Sequence, residues 1–223
     1  MNQRLECLEV QSEQEAPKAH IIWLHGLGAD ASDFLPLAQY LTARHPWHMV
    51  LPHAPERAVT ANGGAWMPAW YDFYHWDWQG PEDTPGIAES EMAIHHLIAD
   101  AQRAGFQAHQ IILGGFSQGA ALALYTGLRY PEILGGVISL SGYLPQASSP
   151  QAAPSETAQA LLPIFVAHGD TDPIIPLWIM EKMQASLLKM GYHPECHTYK
   201  MAHQVIPKEI DDLAHFIAQC CTF

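Results

Sequence analysis

One serine in this chain has the neighbours that chemistry at a hydroxyl requires. In Ile111-Ile112-Leu113-Gly114-Gly115-Phe116-Ser117-Gln118-Gly119-Ala120, three apolar residues run into a glycine pair, the serine follows, and a small-residue helical segment begins at once. The pattern is G-x-S-x-G, a strand, sharp turn and helix with Ser117 at the apex. A serine forced onto so tight a turn lifts its oxygen clear of the sheet, and the flanking backbones crowd one another. Gly115 and Gly119 carry no side chains to collide there, and Ala120, Ala121 and Ala123 let the helix press against the sheet. The pentapeptide alone does not decide the matter, since about one chain in thirteen of this length would match it by chance. The plainer use of Ser117 is as a helix N-cap, accepting a hydrogen bond from a first-turn amide. A base, an acid and an oxyanion hole elsewhere in the chain would separate the two.

In a hydrolase built on such an elbow, the acid and then the histidine come later in the chain, each in a loop beyond a strand. Of the 14 histidines, His193, His197, His203 and His215 follow the candidate acids. His197 falls within a strand pattern, His215 inside the last helix, and His193 at the wrong end of its strand. His203 sits between the last strand and last helix, on the side where ligand sites in open α/β sheets gather. The loop His168-Gly169-Asp170-Thr171-Asp172-Pro173 offers two aspartates. Asp170 could close an Asx-turn on its own backbone, the ordinary use of such a residue; Asp172, held before Pro173, lies deeper in the loop, and the residues alone leave Asp170 open beside it. His203 would take the Ser117 proton while the aspartate fixes the imidazole tautomer. The developing oxyanion would meet the Gln118 amide, at a helix N-terminus where the dipole favours negative charge. A second amide is expected from the turn His25-Gly26-Leu27-Gly28, that of Leu27.

These residues need a frame, and the hydrophobic pattern supplies one. Unbroken apolar runs predict buried strands over Ala19–Leu24, Trp47–Leu51, the stretch before the elbow, Gly136–Leu140 and Pro163–Ala167, with an edge strand over Leu5–Val10 and a last strand over Glu195–Lys200. Helical spacing runs over Ser32–Ala43, Ile87–Ala104, the segment after the elbow to about Tyr130, Pro176–Met190 and Pro207–Cys220. Alternating strands and helices imply an α/β fold, a mostly parallel sheet with helices on both faces, in one domain spanning 1–223. The stretch 146–157 is rich in Pro, Ser and Ala and suits an exposed loop. From Pro52 to Pro85 no period is convincing, and aromatic residues crowd the segment. Met67, Trp70 and Tyr71 from it are expected to line the acyl side of a pocket, the plainer alternative being a satellite core cluster.

Composition narrows the function classes. The formal net charge of −13 repels phosphate backbones, so a nucleic-acid partner is not expected. No run of 18 apolar residues appears, and the first 15 residues lack the apolar stretch of a leader, so neither membrane insertion nor export is expected. Cysteines at 7, 196, 220 and 221 show no C-x-x-C spacing, which points to reduced thiols in a cytoplasmic protein. His95 and His96 are adjacent and point apart on a helix, and no H-E-x-x-H occurs, so no metal is expected.

Taken together, Trp23-Leu24-His25-Gly26-Leu27-Gly28, Gly115-Phe116-Ser117-Gln118-Gly119, His168-Gly169-Asp170-Thr171-Asp172 and Met201-Ala202-His203 resemble acyl-protein thioesterases and their bacterial carboxylesterase relatives. Asn62-Gly63-Gly64 with Met67-Pro68-Ala69-Trp70-Tyr71-Asp72 is similar to the bacterial branch. The resemblance runs from about His20 to Ile217 and implies an α/β-hydrolase fold, Ser117 as nucleophile, Asp172 rather than Asp170 as acid, His203 as base, and no cofactor. Two departures stand out: Ala29 displaces the usual aspartate after the oxyanion glycine to Asp30, and the run Phe73–Trp78 is heavier in aromatics than the family pattern. The expected activity is cleavage of small-molecule carboxylic esters or acyl thioesters through an acyl-enzyme. The competing readings are a binding protein on the same fold and an amidase or peptidase. Oligomeric state is not legible.

Overall fold

The computed structural model describes residues 4–78, 80–145 and 161–221. In chain order the elements are β1 (Cys7–Gln11), β2 (Ala19–Leu24), α1 (Leu35–Thr42), β3 (Trp47–Pro52), β4 (Glu56–Val59), β5 (Ala65–Pro68), α2 (Thr84–Arg103), β6 (Ile111–Phe116), α3 (Gln118–Arg129), β7 (Gly136–Leu140), β8 (Ile164–Gly169), α4 (Leu177–Lys189), β9 (Glu195–Tyr199) and α5 (Pro207–Cys220). Seven strands form one sheet in the order β1-β3-β2-β6-β7-β8-β9. Among the described residues only β1 runs antiparallel in that sheet, pairing with β3 at the edge, and every other pairing in it is parallel.

A parallel sheet must be covered on both faces, and β2 shows how the sequence meets that demand. All six of its residues are buried. Ile22 and Leu24 enter a core with residues of α2, α3 and α4, whereas Ala19, Ile21 and Trp23 enter a second core with residues of α1 and α5. Both alternating faces are therefore apolar, so the strand is an unbroken run rather than a period-2 pattern. No helix among the described residues is long and apolar enough to cross a membrane.

Two differences from the expected elements have local causes. The segment expected as one helix over Ser32–Ala43 begins as a 3-10 turn, Ala31–Phe34, capped by Asp30, and becomes α-helical only at α1, where proline occupies the first turn. The stretch with no convincing period contains the hairpin β4–β5, a separate two-stranded sheet. Half of the residues in its four-residue strands are exposed and only Val59 is buried, so neither period nor apolar run marks them. It is tied down by polar side chains instead: Asp72 accepts the Thr60 amide at 2.7 Å and the Thr60 hydroxyl at 2.6 Å. Asp83 accepts the Asp72 amide at 2.9 Å while capping α2 through the Gly86 amide at 3.0 Å. The expected exposed loop over 146–157 lies outside the described residues.

Candidate active site

The turn between β6 and α3 is as tight as the glycine spacing demands. A Cβ on Gly119 would lie 2.3 Å from the Leu24 carbonyl oxygen and 2.4 Å from that of His25; one on Gly115 would lie 2.6 Å from the Gly119 carbonyl carbon. No side chain fits at either position. Ser117 itself adopts φ 56° and ψ −120°, a conformation costly for a residue with a Cβ. Although Ser117 occupies the N-cap position of α3, its side chain makes no capping hydrogen bond. Its Oγ lies instead 3.0 Å from His203 Nε2.

The other imidazole nitrogen, His203 Nδ1, is 2.7 Å from Asp172 Oδ2. The Asp172 side chain is wholly buried, and its second oxygen accepts the amides of Ile174 at 2.8 Å and Ile175 at 2.9 Å. Asp172 thus closes the turn after β8 with one oxygen and faces His203 with the other, so the two uses weighed for a loop aspartate coexist in one side chain. Burial pushes its carboxyl upward, but the His203 hydrogen bond and the two amides outweigh it and hold the group below its ordinary value. Asp170, the other aspartate in this loop, is exposed.

Two residues that sequence inspection passed over support this line. The Phe116 ring packs against the His203 ring at 4.7 Å, and Phe34 and Trp23 continue the aromatic row behind it. Buried His168 lies on the far side of the acid: its Nε2 is 2.7 Å from the Ile175 carbonyl and 3.5 Å from Asp172 Oδ2. Burial lowers its pKa, and because a carbonyl oxygen only accepts, Nε2 is the nitrogen that carries the proton in this contact. No local signal distinguishes such a histidine from a surface one.

The turn from His25 to Gly28 passes beside the nucleophile, since a Cβ on Gly26 would stand 3.3 Å from Ser117 Cβ. The Gly28 amide donates to the Pro68 carbonyl at 2.9 Å, which stitches the turn to the end of β5. Met67 is half-buried there, with its sulfur 3.5 Å from the place of a Gly28 Cβ. Trp70 and Tyr71, expected beside it on the acyl side, are 0 % and 2 % exposed and belong to the core that holds α2 and α3. The Tyr71 hydroxyl shares a 2.6 Å hydrogen bond with that of Tyr143. These two residues present no open face to a ligand, and of the three only Met67 borders the turn with surface exposed. In the heavy aromatic run, Phe73 packs on both Trp76 and Trp78; Trp78 also meets Tyr143, whereas Trp76 is exposed on its other side.

A family model described as phospholipase/carboxylesterase matches residues 5–221. The chain belongs to that family. Among curated relatives of this phospholipase/carboxylesterase family member, acyl-protein thioesterase 1 of Saccharomyces cerevisiae is 39 % identical over 226 residues, covering 94 % of this chain and 96 % of the yeast protein. Acyl-protein thioesterase 1 homolog 1 of Dictyostelium discoideum is 37 % identical, with 94 % of each chain covered. The crystal structure of Zea mays acyl-protein thioesterase 2 superposes with a TM-score of 0.84 at 26 % identity, covering 97 % of this chain and 99 % of the maize chain. The fold is that of an α/β-hydrolase, and the protein is a serine hydrolase. In this family member the displaced aspartate, Asp30, caps the 3-10 turn through the Ser32 amide at 2.7 Å.

Proposed function

We propose that this chain hydrolyses carboxylic esters and acyl thioesters through an acyl-enzyme on Ser117. The observation that supports this most is the single imidazole of His203 bridging Ser117 Oγ at 3.0 Å and Asp172 Oδ2 at 2.7 Å. With Asp172 ionised, Nδ1 carries a proton and Nε2 is free to accept one. As Ser117 Oγ attacks the acyl carbon, His203 Nε2 takes the serine proton and then delivers it to the departing alkoxide or thiolate. Water repeats the sequence on the acyl-enzyme, with His203 again as base. Asp172 stabilises the imidazolium in each half-reaction without itself being protonated. The amides of Leu27 and Gln118 receive the oxyanion, and Met67 borders the acyl group. The triad and both amides come from this chain alone, in one domain over 1–223, with no cofactor or metal in the chemistry. The curated relatives are acyl-protein thioesterases, which favours a thioester of an acylated cysteine alongside simple esters. Four free cysteines suit a reducing cytoplasm.

The test is a series of p-nitrophenyl esters of rising acyl length beside matching acyl thioesters and an anilide. Esters and thioesters should turn over, and Ser117→Ala should lower kcat by a factor on the order of 10⁴ to 10⁶. Faster cleavage of the anilide would replace the esterase assignment with an amidase one. Ordinary ester turnover by the Ser117→Ala variant would remove the nucleophile assignment.

A further inference from the structure

Trp70 stands in the middle of a buried hydrogen-bonded girdle that joins the elbow to the His25–Gly28 turn. The Gln118 side chain acts there as a surrogate peptide group: its Oε1 accepts the Trp70 amide at 2.9 Å, and its Nε2 donates to the Tyr71 carbonyl at 2.8 Å. The Trp70 indole Nε1–H then donates to the His25 carbonyl at 2.8 Å. That carbonyl is the one wedged against Gly119, 2.4 Å from where a Cβ would stand, so it abuts the first turn of α3. The Trp70 ring also packs on the His25 imidazole, with centroids 5.2 Å apart.

His25 carries the constraint one residue further. Its Nε2 accepts the Ala54 amide at 3.0 Å, which assigns the ring proton to Nδ1, 2.8 Å from the Gly26 carbonyl oxygen. The Ala29 amide reaches the same oxygen at 3.2 Å. No peptide bond among the described residues is cis, so fixing the Gly26 carbonyl by two donors also fixes the Leu27 N–H, which points the opposite way within the same peptide plane. The bonds of this girdle thus set, on one end, the helix start that carries the Gln118 N–H and, on the other, the peptide that carries the Leu27 N–H.

We propose that Trp70 is a positioning residue for the oxyanion hole, its indole N–H fixing the separation and aim of the Leu27 and Gln118 amides. The inference rests on the acyl-transfer reading above. An oxyanion donor acts only where the charge develops, and losing one costs about 10²–10³ in kcat. Loosening both without removing either should cost less, about 10- to 100-fold. Because the substrate carbonyl makes weaker demands on these donors than the tetrahedral adduct does, KM should stay within about twofold.

The experiment replaces only the donor. Trp70→Phe keeps an aromatic ring in the core and removes the N–H; substituting the same position with benzothienylalanine, whose sulfur stands where the N–H was, keeps the bicyclic shape as well. Kinetics on a short-chain p-nitrophenyl ester would be normalised to active sites by burst titration, and affinity for an alkylboronic acid, which forms a tetrahedral adduct, measured in parallel. The expected result in both variants is a 10- to 100-fold lower kcat per titrated site, KM nearly unchanged, and boronate affinity weakened in step with kcat/KM. A purely structural role would lower the number of titratable sites and leave kcat per site intact, and that outcome in the benzothienylalanine variant would overturn the proposal even if Trp70→Phe does not fold. Ser117→Ala in the same assay keeps the two levels apart. If it stays active, the acyl-transfer reading fails; if it is dead while both Trp70 variants turn over normally per site, only the positioning role fails.

Discussion

Glu209 lies in the first turn of α5, six residues after His203, and is completely buried. Neither carboxylate oxygen has a hydrogen-bond partner among the described residues. Burial raises its pKa from 4.5 to about 7; the Ile206 amide pulls weakly the other way without meeting hydrogen-bond geometry. Between those two values the folded protein keeps a proton that the unfolded chain has already released, so folding stability falls as pH rises through this window. A rise from 4.5 to about 7 corresponds to roughly 3 kcal/mol at full ionisation. Glutamine has the shape and neutrality of the protonated form at every pH. Glu209→Gln should therefore match the parent near pH 4.5, gain progressively, and be more stable by about 3 kcal/mol above pH 7.5. Urea unfolding at a series of pH values reads this as a midpoint that separates from the parent by about 1–1.5 M for a slope of 2–3 kcal/mol per molar. A midpoint difference that is the same at pH 4.5 and pH 8, or no gain at pH 8, would refute the idea that an ionised carboxylate is being forced into this site.

Three further outcomes follow from the same structure. His20 titrates with the opposite sign: burial, reinforced by neighbouring His48, lowers its pKa from 6.5 to about 4, so its contribution is complete above pH 6.5 and lost as pH falls toward 4. His20→Leu should flatten the acid limb of the stability curve by about 3 kcal/mol, and an unchanged acid limb would contradict it. Asp172→Asn should preserve the turn, because the amide oxygen can still accept the Ile174 and Ile175 amides, while its NH₂ faces His203 Nδ1 and enforces the wrong tautomer. Thermal unfolding should move by only a few degrees and kcat fall by a factor on the order of 10⁴; a variant of normal kcat would contradict the role given to Asp172. Gly119→Ala would drive a methyl group to within 2.3 Å of backbone oxygen, so it should fail to accumulate as folded protein, and a variant with parental unfolding behaviour would show that the turn can open.

What could be read from the sequence was what local sterics write into it. The elbow needs glycines on both sides of Ser117, because each Cβ would strike backbone, and the requirement is visible as a pentapeptide. The strands were visible because a sheet covered on both faces turns them into apolar runs, and His203 was visible because it lies beyond the carboxyl end of a strand; Asp170 and Asp172 share such a position, and only the family resemblance separated them. Trp70 and Tyr71 show the limit. An aromatic cluster beside a glycine turn suits a pocket wall or a core equally well, and only the packing of α2 and α3 decides that both are buried. The hairpin β4–β5 escaped notice because short, exposed strands have no periodic signature and are held by Asp72 and Asp83 through contacts distant in the chain. The role of the Gln118 side chain is not legible for another reason: its carboxamide bonds residues 47 and 48 positions away, and no local pattern marks such partners.

The most direct test of Ser117 as the nucleophile is to treat the protein with a fluorophosphonate and locate the adduct by peptide mass spectrometry. One equivalent should be found on Ser117, with loss of esterase activity in proportion to labelling. Complete labelling at another residue, or esterase activity that survives stoichiometric modification of Ser117, would contradict it.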